Sequence, residues 1–405
     1  MIDVASIRNQ FPILHQQVNG FPLVYFDNAA TTQKPKRVID SLIHHYTNDN
    51  ANIHRSIHKL AERSTVAFEQ TRTSVQRFIN AKHSSEIIFV RGATEGINLV
   101  AYTYGRSKLK AGDEIIISEM EHHSNIVPWQ MLCEEKGCKL KVIPITPNGN
   151  LDLVVFEKLL SKSTKIVALT HASNTLGTIN PIQDIIKKAH SVNAIVLIDG
   201  AQISPHYDID VQQLDCDFYT ISAHKMYGPT GVGVLFGKKN LLEEMPPFMG
   251  GGEMINEVTI KKTTYNSIPY KFEAGTPNVA DVVAFKSAIE FVEEIGKKNI
   301  ASYEQNLLDY ATEKLSKLKG LILVGTAEKK VSLQSFVIEG IHNFDVGQLL
   351  DAKGIAVRTG HHCTQPLMDA LKVEGTIRVS FGVYNTIEEI DQMIVSLENI
   401  ITRMS

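Results

Sequence analysis

The sequence predicts an α/β fold, with a mostly parallel seven-stranded sheet carrying helices on both faces and a smaller α+β domain at the C-terminus. Three observations predict it. Seven short β-branched runs recur between amphipathic stretches: Glu86 to Val90, Glu114 to Ser118, Lys141 to Ile145, Lys165 to Thr170, Ala194 to Asp199, Phe218 to Ile221 and Val232 to Phe236. Several are apolar on both faces, as strands covered on each side must be. Beyond about Gly237 the pattern changes to a Pro- and Gly-rich connection, after which helices alternate with shorter strands, Val331 to Ile338, Ile355 to Arg358 and Thr376 to Phe381.

The intervening segments read as helices. Asn180 offers an N-cap, Pro181 a first helical position, and Ile182, Ile185, Ile186 and Ala189 follow at the spacing of one helical face. Later, Val282, Phe285, Ile289 and Val292 form a second such stripe, preceded by YKFEAGTPN, which reads as a functional surface loop. The expected division is a large domain over 23–295 and a small one over 296–405, with an N-terminal arm, 1–22, packing on the small domain.

Composition narrows the function. The 405 residues suffice for two or three domains with cores, and 41 basic residues against 44 acidic ones, spread along the chain, leave no stripe to neutralise nucleic-acid phosphates. Four cysteines, at 133, 138, 216 and 363, are too few for a disulfide framework and fit a reducing compartment; the first two fall in an otherwise helical stretch. The N-terminus lacks the basic start and apolar run of an export signal, and no stretch approaches the roughly 18 apolar residues of a membrane span. A cytoplasmic protein is expected.

In wound sheets, ligands bind beyond the C-terminal ends of the strands. Asp199 ends the run AIVLID, and by itself reads as a turn or helix-cap aspartate. The next strand, DFYTI, leads into SAHK, bringing Ser222, His224 and Lys225 to the same edge; a lone lysine there reads as a solvated cation. Together they suggest one chemistry. A lysine amine forms a Schiff base with a carbonyl, and a carboxylate can hold a pyridinium nitrogen protonated, which is the anatomy of a pyridoxal phosphate site. Thr94, in RGATEGIN, stands at a helix start that favours an anion, or simply caps it. His122 or His123 could stack on a ring and move protons, and Asn174 could bond a phenolic oxygen, although surface histidines and a turn asparagine would look the same.

The small domain supplies Cys363 in AVRTGHHCTQP. Gly360, Thr364, Gln365 and Pro366 mark a loop, so an exposed thiol is expected, with Arg358, His361 and His362 favouring its thiolate. Arg378, on a following strand, could clamp a substrate carboxylate or lie on the surface.

YFDNAATT at Tyr25 to Thr32, NIHRSIH at Asn52 to His58, GATEGIN at Gly92 to Asn98, EHHSNIVPW at Glu121 to Trp129, DGAQ at Asp199 to Gln202, SAHKMYGPTGVG at Ser222 to Gly233, FEAGTPN at Phe272 to Asn278 and RTGHHC at Arg358 to Cys363 run over nearly the whole chain. In these motifs the sequence resembles fold-type I pyridoxal phosphate enzymes of the class V aminotransferase group, and specifically the SufS-type (group II) cysteine desulfurases. The resemblance implies that Lys225 carries the cofactor through a Schiff base, Asp199 pairs its ring nitrogen, Gln202 and Asn174 bond the phenolic oxygen, and His122 stacks on the ring. It further implies phosphate held by Thr94, Ser222 and His224, with Thr276 reaching across from a second subunit of a homodimer. Arg378 would bind the carboxylate of L-cysteine with Asn174 assisting, and His54, Arg55 and Arg358 would line the entrance and substrate pocket. Cys363 would take the sulfur as a persulfide and pass it to an acceptor of the SufE or SufU kind for iron–sulfur assembly, leaving L-alanine.

The loop between Cys363 and Pro366 is short, which suggests that the acceptor must reach inward. Thr364 departs from the group pattern, where a small Ala is common. Selenocysteine lyase activity would use the same site. A metal centre built from His122, His123, His361, His362 and Cys363 has poor spacing, because adjacent residues seldom face one ion. GPTGVG and GKK match neither nucleotide-binding pattern.

Overall fold

A computed structural model describes residues 2–404. Its centre is a seven-stranded sheet of β1 (Ile87–Val90), β2 (Glu114–Ser118), β3 (Lys139–Ile143), β4 (Thr164–Thr170), β5 (Ile195–Asp199), β6 (Phe218–Ser222) and β7 (Gly233–Gly237), in the order β1-β7-β6-β5-β4-β2-β3. Six strands are parallel; β7 runs against both its neighbours. The anticipated mostly parallel sheet is therefore present, and each strand lies within about two residues of the run that predicts it, the usual uncertainty of element ends.

Alternate residues of the central strands serve two cores. Ile116, Val167 and Val196 pack into one apolar cluster, Ile115, Ile166 and Leu197 into another. All six are buried. Period-two alternation, apolar at every step, thus fills both faces of the sheet, and each such side chain contributes about 1.5–3 kcal/mol on burial. Helix Ile182–His190 lays Ile182, Ile185, Ile186 and Ala189 on the first cluster. Its start differs by one residue from expectation. Pro181 occupies the cap, while the Asn180 amide turns inward to donate to the Thr170 carbonyl at 2.8 Å.

Two further readings are corrected. Gly137, at φ 70°, ends helix Val127–Lys136, so Cys133 is helical and Cys138 is not. The loop read as surface is anchored: Lys271 and Phe272 are buried, and Glu273 takes two hydrogen bonds, at 2.7 and 2.9 Å, from Arg72, itself 1% exposed.

The C-terminal part has a four-stranded antiparallel sheet ordered Leu321–Val324, Leu333–Ile338, Thr376–Ser380, Arg358–Gly360, with its own core of Leu307, Phe336, Ile377 and Leu397. The run expected over Ile355 to Arg358 divides. Ile355–Ala356 pairs in parallel with Val24–Tyr25, and Arg358–Gly360 joins the four-stranded sheet. Residues near the N-terminus reach this part through Arg8, which pairs with Glu389 at 2.7 Å, and through Asn19, which donates to the Asp351 carbonyl at 2.7 Å. Among the described residues no helix is long and apolar enough to cross a membrane.

Candidate active site

The C-terminal ends of β1, β2, β4, β5 and β6 and the start of the antiparallel β7 meet at one edge, where a cavity of about 230 Å³ opens. Its wall holds Thr94, His122, Asn174, Asp199, Gln202, Ser222, His224 and Lys225 from the large sheet, and Arg358, Cys363 and Arg378 from the C-terminal part. Eleven of the fourteen residues to which the resemblance gives a role are thus brought together. The other three, His54, Arg55 and Thr276, lie outside the cavity. His54 and Arg55 both face Glu253, at 3.2 and 2.8 Å, and the chain beside Glu253 is tied to the Thr276 loop by the Gly275 amide on the Gly252 carbonyl, so all three share one region.

Local geometry follows from the sequence. Gly233 opens β7 directly against Gly92: a Cβ at Gly233 would stand 2.5 Å from the Gly92 Cα and 2.6 Å from the Ile221 carbonyl, so only glycine allows the approach. That contact sets the turn entering helix Ala93–Val100. The Ala93 amide donates to Ser222 Oγ at 3.0 Å, and Thr94 Oγ1 lies 2.7 Å from Ser124 Oγ.

Asp199 is 6% exposed and accepts from the Ala201 amide at 3.0 Å; burial raises its pKa. Burial lowers that of Lys225 against the opposing attraction of Asp199, so the amine loses its proton more readily than an exposed lysine. His122 is held by burial, and by the nearby Lys225, at a pKa of about 3. Its Nδ1 accepts from the Ser124 amide at 3.1 Å, which leaves the neutral ring with its proton on Nε2. His224 is pushed down to about 4 in the same way.

Cys363 is exposed and sits in a bend where His362 and Cys363 adopt φ 53° and 58°. Neighbours on every side fix the bend. Asn174 Nδ2 donates to the His362 carbonyl at 2.8 Å, the His123 amide to the Cys363 carbonyl at 2.8 Å, and the Gln365 amide to His123 Nε2 at 3.0 Å. Thr364 is buried, its hydroxyl bonded to Thr175 Oγ1 at 2.9 Å and to the His361 carbonyl at 2.8 Å. The residue that departs from the group pattern therefore faces inward. With one nitrogen of His122 and of His123 occupied by backbone amides, and His362 Nε2 on Thr376 Oγ1 at 2.8 Å, these rings serve the loops; among the described residues no three His, Cys, Asp or Glu side chains cluster for a metal.

Three neighbours were not singled out from sequence. Asp27 pairs with Arg378 at 3.0 Å and Arg358 at 3.1 Å. Ser124 bonds both Thr94 and His122. Lys34 donates to the His224 carbonyl at 3.0 Å, which also takes the Thr31 and Thr32 hydroxyls, so the turn before Lys225 is tied to the chain near the N-terminus. Asp27, Thr31 and Thr32 fall in the YFDNAATT motif, the one signal that could have found them.

The wall has unfilled hydrogen-bonding capacity. Gln202 Oε1 and Arg378 Nε are buried without a partner. A buried acid, a desolvated amine, a helix start with hydroxyls and a free guanidinium donor on one cavity fit pyridoxal phosphate, which needs a ring-nitrogen partner, a carbonyl partner and an anion cradle.

Residues 24–393 match the aminotransferase class-V family, and the chain belongs to it. Relatives match nearly the whole of this chain: a probable cysteine desulfurase 1 of Mycobacterium leprae (strain TN) is 51% identical over 405 residues, covering 100% of this chain and 66% of that one. A probable cysteine desulfurase of Vibrio cholerae serotype O1 is 49% identical, with 98% of each covered. The solved structure of the cysteine desulfurase CsdA (S-sulfonic acid) from Escherichia coli superposes with a TM-score of 0.93 at 38% identity, over 100% of both chains. The chain spans just under two thirds of the M. leprae relative and 58% of one from Mycolicibacterium paratuberculosis. The fold is that of fold-type I enzymes.

Proposed function

We propose that this protein is a cysteine desulfurase, converting L-cysteine to L-alanine and holding the sulfur as a persulfide on Cys363. The observation that carries the reading is the convergence of Lys225, Asp199, Arg378 and the exposed Cys363 thiol on one cavity. When bound, pyridoxal phosphate supplies an electrophilic carbon for an amine and a sink for the electron pair left by deprotonation. Lys225 would hold it covalently, Asp199 would pair the ring nitrogen, Gln202 and Asn174 the phenolic oxygen, and Thr94, Ser222 and His224 the phosphate. His122, neutral at working pH, would lie against the ring.

Arg378 receives the substrate carboxylate, with Arg358 at the same wall. The Lys225 amine, its pKa lowered by burial, takes the α-proton. The Cys363 thiolate then attacks the substrate sulfur; an S–S bond forms, the C–S bond breaks, and a proton completes the methyl group of alanine. Net, L-cysteine and the Cys363 thiol become L-alanine and the Cys363 persulfide.

The site is completed in a homodimer, with Thr276, His54 and Arg55, grouped outside the cavity, reaching a second copy. The fixed Cys363 bend favours transfer to an inward-reaching acceptor of the SufE or SufU kind, as in SufS-type enzymes, for iron–sulfur assembly. Purified protein is expected to be yellow, with an absorbance band lost in Lys225→Ala, and Cys363→Ala is expected to form no persulfide from L-cysteine. A wild type unable to take up pyridoxal phosphate, or full cysteine turnover by Cys363→Ala, refutes the reading.

A further inference from the structure

We propose that Asp27 is a positioning residue that sets the two arginines to receive exactly one substrate carboxylate and so confers selectivity for amino acids over simple amines. The proposal rests on the carboxylate role proposed above for Arg378.

Arg378 is 2% exposed, and its donors are distributed. One Nη1 proton goes to the Asn174 carbonyl at 2.8 Å, and one Nη2 proton to Asp27 Oδ1 at 3.0 Å. Nε is buried without a partner. Nε–H is therefore without a partner and Nη2 keeps a second proton, and Nε and Nη2 are the pair of donors with which a guanidinium grips a carboxylate through two parallel bonds. Arg358 closes on the same aspartate from outside, its Nε 3.1 Å from both Asp27 oxygens and its Nη2 3.1 Å from Oδ2. Two guanidiniums and one carboxylate leave one net positive charge, matched to one α-carboxylate. Without Asp27 the buried Arg378 would lose its only carboxylate partner among the described residues, and Arg358, half of it in solvent, would lose the anchor that orders it.

The backbone fixes this arrangement independently of the side chains. The Val24–Tyr25 strand runs beside Ile355–Ala356, just before Arg358, and Asp27 is bridged to Ser380, two residues beyond Arg378. Three chain segments, one of them more than 300 residues from the other two, are thus registered around one carboxylate.

The test compares ligands that share an amine but differ in the carboxylate. Wild type and Asp27→Asn holoenzyme are titrated calorimetrically with L-alanine and with cysteamine, which has no carboxylate, and turnover is measured with L-cysteine. Asp27→Asn is expected to weaken L-alanine binding and raise the KM for L-cysteine by about tenfold or more, with kcat within about threefold and cysteamine binding within about twofold. Equal weakening of L-alanine and cysteamine, or no change in either, overturns the proposal. If Asp27→Asn does not fold, Asp27→Glu, which keeps the charge one methylene further out, is expected to lose more affinity for L-alanine than for cysteamine; equal losses again overturn it. Failure of the wild type to turn over L-cysteine would refute the proposed reaction, and the contrast between L-alanine and cysteamine would still decide the part played by Asp27.

Discussion

Gly233→Ala probes how the side of the cavity proposed to hold the phosphate is built. The added methyl would stand 2.5 Å from the Gly92 Cα, 2.6 Å from the Ile221 carbonyl oxygen and 3.0 Å from the Gly92 carbonyl carbon, all of them backbone atoms. No rotamer change relieves such a contact. Restoring an ordinary carbon–carbon separation of about 3.5 Å requires a backbone shift of about 1 Å, either at Gly92 or across the β6–β7 ladder. Overpacking of this kind costs about 1–3 kcal/mol. The Gly92 contacts are relieved if the Gly92 turn gives way, carrying the Ala93 amide and Thr94 away from Ser222, while the Ile221 contact strains the β6–β7 ladder itself. If that cost falls on the cofactor-bound state, affinity for pyridoxal phosphate drops by about 5- to 150-fold. Titrating apoprotein with pyridoxal phosphate by absorbance, beside a denaturant unfolding curve, separates the two possible losses. Affinity within about twofold of wild type, with an unchanged unfolding midpoint, would refute the reasoning.

Two further outcomes concern buried charge. Glu121 is fully buried between Ser118 Oγ at 2.6 Å and Asn125 Nδ2 at 2.7 Å, and burial raises its pKa to about 8. Between its ordinary value and about 8 the folded protein holds a proton that the unfolded chain releases, so this contribution is full at low pH and is lost as pH rises through about 8. Glu121→Gln is expected to match wild type near pH 4 and to exceed it at pH 8, removing a slope of up to about 1.4 kcal/mol per pH unit; parallel curves of stability against pH would count against it. Arg72→Met strands Glu273, which also accepts from the Phe89 amide at 2.8 Å, and is expected to cost about 3–5 kcal/mol in urea unfolding, whereas a loss below about 1 kcal/mol would contradict the pairing.

The parts legible in sequence are those whose cause is local. β2, β4 and β5 are apolar at successive positions because both faces are covered, and that pattern needs no knowledge of the partner strand. Asp199, Lys225 and the other cavity residues stand at ends of such strands or in the loops beyond, which is why the motifs could be placed at one edge. What was missed depends on distant pairing. Leu321–Val324 is a short edge strand, partly exposed on alternate residues, with little to mark it. The break between Ala356 and Arg358 arises because the two halves pair with segments more than 300 residues and about 20 residues away. Asp27 is a short polar residue in a loop near the N-terminus, and its significance lies entirely in two arginines that the chain supplies more than 300 residues later.

The lysine-bearing loop has a consequence of its own. Because β7 runs opposite to β6, the chain leaves the sheet at Ser222 and re-enters directly beside it at Gly233, with the Ala223 amide on the Val232 carbonyl at 3.1 Å closing the neck. A parallel neighbour would have demanded a crossover helix and a long, pliable excursion. Here the Lys225 amine rides on a clasped hairpin whose amides are expected to exchange with deuterium as slowly as the sheet itself. The lysine side of the cleft is therefore expected to stay still while ligands enter.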